Sequence, residues 1–174
     1  MTLITDEYRA LNAKQHHEAQ EWGLQSIRYW KTVKGLCEQL GIDKCLDYGC
    51  GKRALERALT PHNIRVTNYD PAFPEYATPP EPHALVVCTD VLEHIEPECL
   101  DAVLTDLHRC MKAIGFFVIS SKASIKNLPD GTNPHRIIQE MPWWIERMKP
   151  WFKVHTELFE GEKYFGLLVV PVRD

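Results

Sequence analysis

Asp90, Glu93 and His94 stand at i, i+3 and i+4, so a helical turn beginning at Asp90 would put all three on one side. His135 lies further along, in a polar stretch with Asn127, Pro129, Asp130, Gly131, Asn133 and Pro134. Those residues have turn chemistry, and the resulting loop can fold back over the first three. Two carboxylates and two imidazoles together suit Mg²⁺, Mn²⁺ or a similar ion. The blander alternative is that Glu93 and His94 only make local hydrogen bonds.

A second constellation lies earlier. Asp47 closes a short apolar run, glycines follow at 49 and 51, and a helix-compatible segment runs from Lys52 to Leu59. Strand, tight loop and helix in that order open a doubly wound α/β sheet. Glycine serves where the backbone turns sharply or must lie against a ligand. Asp47 then sets a carboxylate at the carboxyl end of the first strand, which suits a ligand carrying an ammonium group and is awkward for a pyrophosphate. Asp70 ends the strand Ile64 to Tyr69, nineteen residues beyond Gly51. That is close to the offset at which an acidic residue reaches a ribose diol.

The remaining elements must position these groups. Residues 6–40 read as helical, with Gly23 dividing an earlier helix or arm from the amphipathic stretch and Gly41 stopping it. His16 and His17 on the first part are solvated, or belong to a lid over the ligand. Pro71 to Pro82 holds no helical periodicity, so a loop replaces the usual crossover there. Ala84 to Asp90 is a continuous apolar run, expected of a central parallel strand. Leu100, Val103, Leu104, Leu107 and Met111 mark one helix face, and Gly115 to Ser120 is a further buried strand. A short helix from Pro142 to Lys149 precedes two strands, Phe152 to Phe159 and Lys163 to Val172, joined as a hairpin.

With 174 residues the chain is read as one domain, 1–174, comprising an N-terminal helical segment (1–41) and a ligand-binding core (42–174). A net charge of −4 with neutral histidines gives no broad basic surface for nucleic acid. Six cysteines without a Cys-x-x-Cys pair read as reduced core thiols, and the expected location is cytoplasmic. Residues 1–6 do not resemble a signal peptide, and no apolar run approaches membrane-spanning length, so no membrane partner is expected.

Leu46-Asp-Tyr-Gly-Cys-Gly51, Asn68-Tyr-Asp70 and Val86-Val-Cys-Thr-Asp-Val-Leu-Glu-His-Ile95, with Phe116-Phe-Val-Ile-Ser120 and the closing hairpin, resemble the class I S-adenosylmethionine (SAM) dependent methyltransferase superfamily. The resemblance covers most of residues 40–172. It implies a three-layer, mainly parallel sheet of about seven strands, with one antiparallel strand from the C-terminal hairpin. It also implies SAM as cofactor, with Asp47 near the methionine ammonium and the backbone at Gly49, Cys50 and Gly51 against the ligand. Asp70 would take the ribose hydroxyls, Pro71 is a further cofactor-binding candidate, and Thr89 to Leu92, with Thr89, Asp90 and Val91 as cofactor-binding candidates, would lie beneath the methionine end. Two departures stand out: Arg53 replaces the third loop glycine, and the missing crossover removes the segment that usually contacts adenine. A nicotinamide dinucleotide is the competing cofactor, since Gly49-x-Gly51-x-x-Ala54 satisfies its glycine spacing. Asp47 and the hairpin count against it.

Methyl transfer requires acceptor and methyl to be held in line, and a protonated oxygen or nitrogen acceptor benefits from a base. His135 and His94 are the candidate general bases. The set Asp90, Glu93, His94 and His135 is also similar to metal-assisted O-methyltransferases, including the small-RNA 3′-terminal 2′-O-methyltransferases and ubiquinone-pathway enzymes. There a divalent ion, Mg or Mn here, would polarise acceptor hydroxyls. Trp143, Trp144, Trp151 and Phe152 read as core packing, or one ring stacks on a planar acceptor. Lys122, Lys126 and Arg136 are solvated or meet an anionic substrate. The expectation is O-methylation of a small-molecule or nucleotide acceptor. The alternatives are RNA 2′-O-methylation and a SAM-binding regulatory subunit without catalysis.

Overall fold

The computed structural model describes residues 2–18 and 23–173; the side chains of residues 16–18, and with them the expectation for His16 and His17, lie outside that description. Strands β1 (Lys44–Tyr48), β2 (Arg65–Tyr69), β3 (His83–Thr89), β4 (Met111–Ser120), β5 (Phe152–Glu160) and β6 (Tyr164–Pro171) form one sheet in the order β2-β1-β3-β4-β6-β5. The first four are parallel, and β6 runs antiparallel to both of its neighbours. Helices α1 (Asp6–Glu18), α2 (Trp30–Leu40), α3 (Ala54–Leu59), α4 (Leu100–Cys110) and α5 (Met141–Met148) complete the described elements, apart from short 3₁₀ turns.

Successive strand residues face opposite ways, and this alternation divides the core into two layers of packing. Leu46, Val86, Cys88, Phe117 and Ile119 pack with Leu104, Leu107 and Trp144 on the α4–α5 side. Cys45, Leu85, Val87, Phe116 and Val118 pack with Val33, Leu36, Leu55 and Leu59 on the α2–α3 side. A strand buried on both faces needs apolar residues at every position, which is why β3 and β4 read as continuous runs. All six cysteines are free and buried. No helix among the described residues is long and apolar enough to cross a membrane.

The sheet differs from the expected one in strand number: it has six strands, not about seven. The physical reason lies in residues 71–82, whose five prolines leave only a 3₁₀ turn at Pro74–Tyr76 between β2 and β3. Proline cannot donate to a ladder and interrupts helices, so neither a crossover helix nor another strand forms, and β2 becomes a sheet edge. Three boundaries also differ. The expected 6–40 helix is α1, a 3₁₀ turn at Gln25–Tyr29, and α2. The helix after the glycine loop starts at Ala54 because Arg53 takes a left-handed conformation, φ 56° and ψ 39°. Met111 leaves the helix and opens β4 directly, so helix and strand join without a loop.

The N-terminal helix is held by a few specific contacts. Thr5 Oγ1 accepts the Tyr8 N–H at 3.2 Å, as an N-cap does, and the Thr5 N–H donates to Glu96 Oε2 at 3.0 Å. The Tyr8 hydroxyl donates to the buried Pro134 carbonyl at 3.1 Å, and the Arg136 guanidinium lies 4.9 Å from the Tyr8 ring centroid. These contacts seat α1 over the loops that follow β3 and β4.

Candidate active site

At the carboxyl end of β1 the chain turns through Gly49 (φ 78°) and Gly51 (φ 48°), both left-handed. The N–H groups of Gly49 and Cys50 donate to the Tyr69 carbonyl at 2.8 and 3.1 Å, tying the loop to β2. Asp70 clamps it from the other side. Its Oδ2 accepts the Gly51 N–H at 3.0 Å, and its Oδ1 accepts the Ala72 N–H at 2.9 Å. A Cβ on Gly49 would fall 2.4 Å from Val91 Cγ2, and one on Gly51 would fall 3.0 Å from the Gly23 carbonyl oxygen. Bare backbone is therefore required at both positions.

Asp47 sits beneath this loop, 1% exposed, in register with Asn68 on one side and Val87 on the other. Its Oδ2 has no hydrogen-bond partner among the described residues. Burial, then the charges of Asp70 and Glu56, push its carboxyl up to about 7. Burial also raises Asp70, against the two N–H groups it accepts. A buried carboxylate with an unused oxygen is the chemistry that an ammonium group would complete.

A cavity of about 330 Å³ opens at the carboxyl ends of the parallel strands, between this loop, the β3 and β4 loops and α1. Gly49, Asp70, Pro71, Asp90 and Val91 line it. Asp47, Cys50, Gly51 and Thr89 do not. All four are buried, Thr89 Oγ1 has no hydrogen-bond partner among the described residues, and burial raises the Cys50 thiol.

The four candidate ligands come together: Asp90, His94 and His135 line the cavity and Glu93 is buried beside them. One ligating atom from each of Asp90, Glu93, His94 and His135 lies within 4.8 Å of the others. The expected helical turn does not create this. Asp90 is left-handed at φ 60°, and only a 3₁₀ turn, Leu92–His94, follows. Asp90 is fixed in that conformation by its N–H, which donates to the Val118 carbonyl at 3.0 Å. Glu93 is fully buried. Its Oε1 accepts the Ser120 N–H at 2.7 Å, its carbonyl accepts the N–H groups of Arg136 and Ile137, and its carboxyl meets that of Asp90. Burial raises both carboxyls, and the Asp90 charge raises Glu93 further.

His135 is set by two contacts. Its backbone N–H donates to Asn133 Oδ1 at 2.9 Å, and its ring Nδ1 lies 2.6 Å from the Lys122 carbonyl. A carbonyl only accepts, so Nδ1 carries a proton, and in the neutral ring Nε2 is the nitrogen with the lone pair. The His94 ring meets it edge-on with centroids 4.7 Å apart, and His94 Nε2 is 4.0 Å from Asp90 Oδ2.

Lys122 and Lys126, read from the sequence as solvated or as meeting an anionic substrate, also line the cavity, whereas Arg136 lies over the Tyr8 ring. Lys163 and Tyr164, from the hairpin, line it as well and carried no signal in sequence. Their place depends on long-range backbone bonds, the Ser121 N–H to the Lys163 carbonyl at 2.9 Å among them. Asp130 is a turn residue, accepting the Thr132 N–H and hydroxyl, which lowers its carboxyl. Trp144 and Phe152 pack in the core, and none of the four expected aromatics lines the cavity.

Similar solved structures share this architecture. The 1,6-didemethyltoxoflavin-N1-methyltransferase of Burkholderia thailandensis, solved with its substrate and S-adenosylhomocysteine, superposes with a TM-score of 0.69 at 16% identity over 99% of this chain and 93% of that one. The N-methyltransferase NodS of Bradyrhizobium japonicum, in complex with S-adenosylhomocysteine, gives 0.62 at 13% identity over 97% and 100%. The magnesium protoporphyrin IX methyltransferase of Synechocystis, with bound SAM, gives 0.62 at 13% over 98% and 99%. No curated protein sequence matches significantly. The fold is that of the class I SAM-dependent methyltransferases. Residues 12–158 match the methyltransferase-domain family, and the chain belongs to it.

Proposed function

We propose that this SAM-dependent methyltransferase methylates an oxygen of a small-molecule or nucleotide acceptor. The observation that carries the reading is that Asp90, His94 and His135 line one cavity with Gly49 and Asp70, with the buried Glu93 grouped against the first three. Bound SAM supplies a methyl group on a positively charged sulfur, already activated for displacement. The residues of the chain hold and orient. Asp70 and the backbone at Gly49 face the nucleoside part of the ligand, and the unpartnered Asp47 oxygen suits the methionine ammonium. His135 Nε2, with its tautomer set by the Lys122 carbonyl, is placed to take the proton of an acceptor hydroxyl. The surrounding loops and α1 exclude water and fix the approach.

The donor set also fits a divalent cation. Glu93 and Asp90 are buried carboxyls set against each other, and a ring nitrogen held by a carbonyl is the usual outer support of a ligating imidazole. Asp90, Glu93, His94 and His135 would hold the ion, which would polarise an acceptor oxygen. The test is transfer of label from methyl-labelled SAM into a metabolite extract, with Mn²⁺ or with EDTA. Label in small molecules, reduced at least tenfold by EDTA and restored by Mn²⁺, supports both parts. Transfer untouched by EDTA removes the ion and leaves His135 as base. Label appearing in RNA moves the acceptor to a ribose hydroxyl, and tight SAM binding without transfer leaves a regulatory subunit.

A further inference from the structure

Three lysines, Lys122, Lys126 and Lys163, line the same cavity as Asp90, His94 and His135. Lys122 and Lys126 come from the loop after β4, and Lys163 comes from the β5–β6 turn. Hydrogen bonds of the surrounding backbone and of Asn133 set the loop and the turn that carry them. Asn133 closes the loop with three hydrogen bonds: its Oδ1 accepts the N–H groups of Ser124 and His135 at 3.2 and 2.9 Å, and its Nδ2 donates to the Ser124 carbonyl at 2.9 Å. The Lys163 carbonyl accepts from the Ser121 N–H and the Ser120 hydroxyl, which sets the hairpin turn beside that loop. The lysine backbones are therefore pre-positioned. Lys122 is shared with Glu140 at 3.0 Å in an exposed pair of the weakly held kind, while Lys163 makes no ion pair among the described residues.

From this we infer that the acceptor is a small phosphorylated molecule, its phosphate held by Lys122, Lys126 and Lys163 while its hydroxyl faces His135. The inference rests on the O-methylation reading above and narrows it. Three point charges without an arginine fork suit a phosphate approached from several directions better than a planar carboxylate. A small acceptor is favoured over RNA because Leu3 and Ile4 ahead of α1, with Tyr8 and Asn12 on it, line the cavity, and because the chain's net charge of −4 repels a polyanion beyond the local site.

The probes are ribose 5-phosphate and ribose, titrated calorimetrically into the full chain with S-adenosylhomocysteine bound and again without it. Binding of S-adenosylhomocysteine is measured first; its absence counts against the methyltransferase site itself and leaves the phosphate titration to be read separately. The expected result is at least tenfold tighter binding of ribose 5-phosphate than of ribose. Lys126→Ala and Lys163→Ala should each cut that preference at least threefold, Lys163→Arg should retain it, and Arg57→Ala, on α3 away from the cavity, should leave it unchanged. Equal affinities, binding of neither probe, or a preference that survives removal of all three lysines would overturn the inference. A variant that no longer melts cooperatively is replaced by its glutamine counterpart, whose loss of the preference is read in the same way.

Discussion

Asp47 carries the sharpest single-residue consequence. Its carboxyl titrates near 7 in the folded chain, raised from the ordinary 3.8, because it is buried and faces Asp70 and Glu56. Between about pH 4 and pH 7 the folded state keeps a proton that the unfolded chain has released. Stability from this group is therefore complete below the unfolded value and is lost as pH rises through 7. The ceiling on the loss is about 4 kcal/mol. Without cofactor, Asp47→Asn should flatten that part of the profile and be more stable than the parent at pH 8, as measured by urea unfolding across the range. A variant no more stable at pH 8 would mean that the buried charge costs nothing. Gly49→Ala should act in the opposite sense. It forces a side chain into a left-handed backbone and against Val91, so unfolding in urea should show a loss of at least about 2 kcal/mol, part of it returned by adding Val91→Ala.

Among the elements, α1 is the one most lightly held. Tyr8 and Gln15 are its buried residues among those described, and its attachment runs through Thr5, Tyr8, Glu96 and Arg136. Thr5→Ala together with Tyr8→Phe removes an N-cap and a buried hydroxyl bond, each worth about 1 kcal/mol. Amide exchange should then accelerate across α1 while β3 and β4 keep their protection; equal acceleration in the central strands would show that α1 unfolds only with the whole domain. The elements also show what is legible in a sequence and why. The glycine loop is legible because φ above zero and close backbone approach leave a mark on residue type. The central strands are legible because burial on both faces demands unbroken apolar runs. The prolines of 71–82 announce a missing crossover, and the six-stranded sheet with β2 at its edge follows from it. The left-handed Asp90 is not legible, because a helical i, i+3, i+4 spacing and a 3₁₀ turn bring the same residues close by different routes. Nor is Lys163, whose position comes from backbone bonds across 42 residues rather than from its own side chain.

Over the whole molecule, ligand, charge and stability are coupled through the same carboxylate. A ligand whose ammonium group pairs with Asp47, as proposed, would need its charged form, so below pH 7 each unit of acidification should weaken binding by up to tenfold, about 1.4 kcal/mol. At pH 8 and a hundredfold excess over Kd, S-adenosylhomocysteine should stabilise the fold by about 2.7 kcal/mol. For a chain of 174 residues this corresponds to a rise in Tm of about 5–10 °C. The rise should shrink by about 3–6 °C per unit between pH 7 and pH 5.5. In Asp47→Asn it should be small and insensitive to pH, since no charge is left to satisfy. Asp70, whose two oxygens already hold Gly51 and Ala72, should behave differently: Asp70→Asn should lower the Tm without ligand, because it disturbs a clamp that exists before anything binds. Thermal melts of the three proteins, with and without S-adenosylhomocysteine at four pH values, separate these outcomes. A ligand-induced shift in the parent that is the same at pH 5.5 and pH 8 would place the ammonium group somewhere other than against Asp47.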